Sequence, residues 1–160
     1  MELSQVTEMI VELMDEYELF QDGWTYQFNR SKLITASCFF PSKTLFFSTV
    51  YIKLNKKRQL TDTVLHEIAH VFAGPEEYDD SKGHDIVWQT AAKAIGAKPE
   101  RFGTGMVIPT PRWHLICPKH GHIASYFRKP KLHRKKLIWC NCHSKIVILD
   151  SQTGKKYRQT

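Results

Sequence analysis

Apolar side chains recur at the helical period through the first twenty residues: Val6, Met9, Ile10, Leu13, Met14, Tyr17 and Phe20 fall on one stripe. They predict an amphipathic helix from residue 2 to about residue 20, broken by Gln21-Asp22-Gly23. From Trp24 to Phe28 large apolar residues alternate with polar ones, which is the pattern of a strand. A turn at Asn29-Arg30-Ser31 leads to a second strand, Leu33 to Phe39. Pro41-Ser42-Lys43 turns the chain into a third strand, Thr44 to Phe47. Ser48 to Leu54 has no clear period and is compatible with a short helix crossing the sheet. Lys56-Lys57-Arg58 reads as exposed.

A second helix has Val64, Leu65, Ile68, Ala69, Val71 and Phe72 as its apolar body. Thr61 or Asp62 can cap it, and Gly74-Pro75 ends it. A turn-rich segment, Gly74 to Gly83, follows. The helical pattern then resumes from His84 to Ile95, with Ile86, Val87, Trp88, Ala91, Ala92 and Ile95 as its apolar set. Gly96 stops it, and Lys98-Pro99-Glu100 begins a turn or short helix. Pro109-Thr110-Pro111 reads as a linker. Beyond it the texture changes to short apolar segments, 114–116, 123–127, 137–139 and 146–149, set among basic residues. From Ser151 onward the chain is polar and expected to fray. No internal repeat is visible.

The helix after the strands carries chemistry in His66-Glu67-Ile68-Ala69-His70. Positions i and i+4 share a helix face, so two imidazoles can meet one Zn²⁺, and Glu67 sits where it can reach a water on that metal. A helix that only had to be buried would have little use for these three residues on its most apolar stretch. His84, beyond the turn-rich segment, can fold back as a third ligand. Glu76 or Glu77 is an alternative third ligand, but each lies in a loop close behind the motif. The longer arrangement His-x-x-Gly-x-x-His fails, because Ala73 and Glu76 stand at the required positions.

With 160 residues the chain can form one domain with a core, or a small domain plus a metal-stapled module. Its formal charge of +7 hides an asymmetry: residues 1–111 carry −4 and residues 112–160 carry +11. So basic a tail points to a polyanion, nucleic acid before an acidic protein. No apolar run is long enough to span a membrane, and the acidic, amphipathic start has no signal-peptide pattern. The expectation is a soluble intracellular protein, monomeric, in the cytoplasm or at the nucleoid or nucleus. Of four cysteines, three crowd into the last third, two of them one residue apart, which suits a metal knuckle better than disulfides. Cys38 stands alone in an apolar stretch and reads as an ordinary buried thiol.

The run Leu60-Thr61-Asp62-Thr63-Val64-Leu65-His66-Glu67-Ile68-Ala69-His70 resembles the SprT-like family, which includes Spartan. So do Lys82-Gly83-His84-Asp85 with Trp88, the run Ile95-Gly96-Ala97-Lys98-Pro99, and the Trp24 strand ending in Phe28-Asn29. The resemblance covers about residues 5 to 150. It implies an α+β fold: a small zincin-type metalloprotease domain, with helices on a short antiparallel or mixed sheet, followed by a β-rich zinc ribbon. The domains would be residues 1–108 and 112–150, with 151–160 a flexible tail. Carried over, His66, His70 and His84 hold the catalytic zinc and Glu67 is the general base. Three protein ligands leave a fourth position for water, whose pKa zinc lowers to about 7. Glu67 would take its proton during attack on a peptide carbonyl and return it to the leaving amine.

Cys117-Pro118-Lys119-His120-Gly121 and Cys140-Asn141-Cys142-His143 look like two zinc knuckles facing each other across a basic loop. A module this small needs its metal to be stable. His120 replaces the second Cys of the family's usual first knuckle. Cys142 is favoured as the fourth ligand, with His143 as the alternative. The loop between them offers Arg128, Lys129, Lys131, Arg134, Lys135 and Lys136 to phosphates, and Tyr126, Phe127 and Trp139 to unpaired bases. Tyr126 and Trp139 could equally fill the ribbon core. His122 and His133 read as solvent-facing or nucleic-acid-contacting residues.

These features add up to a zinc metallopeptidase of the His-Glu-x-x-His type with one catalytic and one structural zinc. The basic tail makes DNA, single-stranded or unpaired, the expected partner, and the resemblance implies proteins bound or crosslinked to that DNA as substrates. The rival reading is a non-enzymatic nucleic-acid-binding or regulatory protein with two structural zincs. Glu67 argues against it, since a structural site needs no base. A zinc hydrolase of a non-peptide bond would carry the same residues.

Overall fold

The N-terminal apolar stripe folds as α1 (Leu3–Glu16), which buries Val6, Met9, Ile10 and Met14. The structure, a computed structural model, describes residues 1–75, 84–100, 105–131, 140–142 and 144–158. α1 is shorter than its sequence pattern. Glu18 adopts a left-handed conformation, φ 56°. The amides of Glu18 and Leu19 donate back to the carbonyls of Asp15 and Met14, each at 2.9 Å. Such a closure needs a left-handed residue just past the cap, and here a glutamate fills the place usual for glycine. Leu19 is buried beneath the turn, so the apolar pattern outlasts the helix.

The described chain forms two compact units, Met1–Pro109 and Thr110–Thr160. In the first, β1 (Thr25–Asn29), β2 (Ala36–Phe39) and β3 (Thr44–Ser48) make a mixed sheet in the order β1-β3-β2. β1 runs parallel to β3, with Thr25 beside Thr44 and Asn29 beside Ser48. β2 runs antiparallel to β3, with Ala36 opposite Phe47 and Phe39 opposite Thr44. The second strand begins at Ala36 rather than Leu33. Ser31 Oγ accepts from the amides of Leu33 and Ile34, at 3.2 and 3.0 Å, and folds this stretch into a turn. Leu33 and Ile34 are exposed despite their apolar character.

α2 (Thr49–Leu54) settles the ambiguous stretch as a helix, its N-terminus capped by Ser48 Oγ accepting from Val50 at 3.2 Å. α3 (Lys57–Ala73) starts before the expected caps at Thr61 and Asp62. Leu60 is already part of the core, so the buried stripe is Leu60, Val64 and Ile68, at a spacing of four. Asp62 instead ties down a later stretch of the chain, its carboxylate accepting from the Lys98 amide at 3.3 Å. The stripe packs with Ile10 and Met14 of α1, Leu45 and Phe47 of β3, and Ile52 of α2. Phe72, counted in the apolar body, is half exposed.

α4 (Ile86–Ala94) begins after His84, because Asp85 caps it by accepting from Val87 at 2.8 Å and Trp88 at 3.1 Å. Only Trp88 and Ala92 of its apolar set are buried; Ile86 and Val87 are exposed. Gly96, at φ 75°, ends it, and the Ala97 amide reaches back to the Ala92 carbonyl at 2.8 Å. Lys98, Pro99 and Glu100 are in no regular element, and residues 101–104, into which the expected turn or short helix would run, lie outside the described residues.

In the second unit, β4 (Trp113–Cys117), β5 (Gly121–Tyr126), β6 (Val147–Asp150) and β7 (Lys156–Arg158) form a sheet in the order β5-β4-β6-β7. All pairs are antiparallel, with a bulge at Leu115/Ile116. Leu115, Ile146 and Ile148 make a small core, with Trp113, Ala124 and Tyr157 against it. Asp150 is buried and pairs with Arg112 through two bonds, 2.8 and 2.6 Å. The residues after Ser151 were expected to be a flexible tail. They turn instead and return as β7, because Lys156, Tyr157 and Arg158 pair with β6 and Tyr157 covers the core. The expected 137–139 segment lies outside the described residues. Among the described residues, no helix is long and apolar enough to cross a membrane.

Candidate metal centres

α3 carries His66 and His70 one turn apart, and the turn before α4 carries His84. Their ring nitrogens converge: one ligand atom from each lies within 4.8 Å of the others. Nε2 of His66 and Nε2 of His84 are 3.0 Å apart. Tetrahedral nitrogen ligands at about 2.0–2.1 Å from zinc would lie roughly 3.3 Å from one another, so the cluster has the scale of a metal site. Gln89 Nε2 donates to the His84 carbonyl at 3.1 Å and holds that turn.

The electrostatics fit a cation. Burial first, then His70 and His84, lowers the pKa of His66 to about 3. Burial first, then His84, lowers that of His70 to about 4. Both rings are therefore neutral lone-pair donors at ordinary pH. Glu67 is only 6 % exposed. Burial pushes its pKa up to about 8, against the amide of Cys38 on β2, which donates to the carboxylate. Cys38 itself is half-buried, and burial, then the nearby Glu67, pushes its thiol up to about 12. That thiol is inert at neutral pH. Its amide contribution to Glu67 is invisible to residue type, since any residue but proline could supply it.

A second cluster lies in the C-terminal unit. Cys117, His120, Cys140 and Cys142 each place a ligand atom within 4.8 Å of the others. Cys117 Sγ is 3.5 Å from Cys142 Sγ, and His120 Nδ1 is 3.1 Å from Cys140 Sγ. The end of β4 and the tight turn into β5 supply Cys117 and His120. Hydrogen bonding from the Ser144 side chain lowers the Cys142 thiol to about 6, whereas burial raises that of Cys117. Three sulfurs and one imidazole suit zinc.

A SprT-like family model matches residues 6–108. The chain belongs to the SprT-like family. That membership gives the first unit a metallopeptidase-type domain, and the matched stretch holds His66, Glu67, His70 and His84 together. No curated protein matches the chain.

The SprT-like match ends before the C-terminal unit, whose described candidate nucleic-acid residues run from the end of β5 into the segment after it. Tyr126 is exposed at the end of β5 and Phe127 is half-buried. Arg128, Lys129 and Lys131 are exposed. Lys129 Nζ stacks on the Tyr157 ring, 3.5 Å from its centroid, and lies 5.4 Å from that of Trp113. Lys155 Nζ is 5.3 Å from Tyr157, and the Arg112 guanidinium is 5.0 Å from Trp113. Sequence reasoning missed this group, because Tyr157 falls in the stretch read as tail. His122 is exposed and shares the Ser125 hydroxyl with His114, at 2.7 and 2.9 Å. Arg134, Lys135, Lys136, His133, Trp139 and His143 lie outside the described residues, as do Glu76, Glu77, Lys82 and Gly83.

Proposed function

We propose that this SprT-like chain is a zinc-dependent protease that works on DNA and cleaves proteins bound or crosslinked to it. The observation that carries the reading is the convergence of three imidazoles beside a buried carboxyl one position from the first of them. His66, His70 and His84 would hold the metal. Zinc there would acidify a water and polarise a peptide carbonyl. Glu67 would hold the proton taken from that water and deliver it to the departing amine. The Cys38 amide keeps the carboxylate aimed, and the surrounding burial excludes bulk water.

The C-terminal cluster of Cys117, His120, Cys140 and Cys142 would be the structural zinc of a ribbon. The basic loop and the aromatic–cation group at Trp113 and Tyr157 support contact with a polyanion, through phosphates and base stacking. A protease tethered to DNA meets whatever shares that DNA at high effective concentration, so it needs little peptide selectivity.

The test is cleavage of a DNA-bound basic protein by the zinc-loaded chain, with and without single-stranded DNA, beside Glu67→Gln. DNA-stimulated cleavage that the variant lacks is the expected result. Absence of cleavage by the parent, with salt-sensitive DNA binding intact, would leave a binding module and reject the protease.

A further inference from the structure

The indole of Trp88 packs against all three imidazoles. Ring centroids lie 4.5 Å from His84, 4.7 Å from His66 and 5.5 Å from His70. Trp88 is fully buried, at 0 % exposure, in a pocket made roomy by Ala69, Ala92 and Ala97. Its backbone amide donates to Asp85, and the neighbouring Gln89 side chain binds the His84 carbonyl. The plate and the third ligand are thus fixed within one short turn.

The indole N–H has no hydrogen-bond partner among the described residues. A buried donor without an acceptor costs stability. Phenylalanine would fill much of the same space without that cost. Among the described residues, what ties the indole to its surroundings is the breadth of its ring against the three imidazoles. Metal-binding imidazoles are commonly oriented by a hydrogen bond to their second nitrogen. Here a shared wall can do that work, because none of the three rings can swing without displacing the plate that touches the other two.

We infer that Trp88 is a positioning residue for the imidazole triad: its indole holds His66, His70 and His84 turned toward one point, so metal enters an assembled site. This rests on the reading of the triad as a metal centre. The test uses the full chain and cobalt(II), with affinity read by competition against a chelator. The d–d absorption of the nitrogen site and the thiolate-to-cobalt charge transfer of the cysteine site report the two centres separately. In Trp88→Phe the melting temperature of the metal-free protein should stay near the parent's, while cobalt affinity at the triad falls about tenfold or more. The cysteine site should be unchanged. Leu45→Val, in the other core cluster, should lower the melting temperature and leave triad affinity alone.

Parental affinity and an unaltered d–d spectrum in Trp88→Phe would overturn the inference. So would an equal loss in Leu45→Val, since affinity would then simply follow global stability. A parent that binds cobalt only through its cysteines would remove the metal-centre reading first, and this inference with it.

Discussion

Nε2 of His66 and Nε2 of His84 approach to 3.0 Å across a sequence separation of 18 residues. Closing that loop costs chain entropy, and the packing of α4 on α3 through Trp88, Ala92 and Ala69 offsets it. The third ligand stands at the start of a docked helix.

That placement depends on Asp85, whose carboxylate caps α4 directly after His84. Asp85→Ala should cost about 1 kcal/mol of stability, as loss of an N-cap does. It should also weaken metal binding at the triad, while Asp85→Asn retains most of both. Calorimetric melting with a metal titration would check this. A cap deletion that destabilises the fold but binds metal with parental affinity would show that His84 is placed by other means.

Glu67→Gln should abolish peptide cleavage, by at least about a hundredfold, because the amide cannot accept the proton. Metal content of the purified variant should match the parent. Residual cleavage near the parental rate would assign the base elsewhere.

The metal-free protein should have a distinctive stability profile. Burial holds His66 and His70 at pKa values of about 3 and about 4, so the unfolded chain binds protons there that the folded one refuses. Their contribution is complete above about pH 6.5 and is lost as pH falls toward those values. Glu67 has the opposite sign. Its pKa is raised from 4.5 to about 8, so its contribution is complete below 4.5 and lost as pH rises through 8. Two histidines outweigh one glutamate by one proton on the acid side and Glu67 acts alone on the alkaline side, which puts the optimum near pH 6.5 with declines of similar steepness either way. Melting after chelation across this range tests it. Glu67→Gln should flatten the alkaline limb, and a limb that persists in it cannot come from Glu67.

Chelation should also unfold the C-terminal unit, whose core is little more than Leu115, Ile146 and Ile148. Amide exchange at Leu115 and Ile148 should become fast on metal removal and slow again when zinc is restored. Cys142→Ser should mimic chelation. Retained protection in the stripped protein would mean that the Arg112–Asp150 pair and the sheet suffice on their own.

The local patterns were informative where a single helix face or a turn residue decides the structure. The spacing of His66 and His70 and the stop at Gly96 needed no distant partner to be read. Leu33 and Ile34 misled because apolar character cannot show that Ser31 folds them outward. The end of α1 was hidden because its left-handed residue is a glutamate. β7 was hidden because a polar strand is indistinguishable from a polar tail until its partner is known. The same holds for the role of Trp88, whose burial against three imidazoles depends on two helices meeting.

The strand order β5-β4-β6-β7 sets a timetable for synthesis. β4 needs β6, Cys117 and His120 need Cys140 and Cys142, and Tyr157 closes the core from the far side of β6. The sheet is complete only once residues 156–158 have left the ribosome. The helices α1 to α4 and the sheet β1-β3-β2 lie within Met1–Pro109 and are free to fold earlier. A nascent chain would therefore carry a formed SprT-like domain before its proposed DNA anchor exists. The proposed protease site and the proposed device that would confine it mature in that order, and the interval between them is set by the rate of translation.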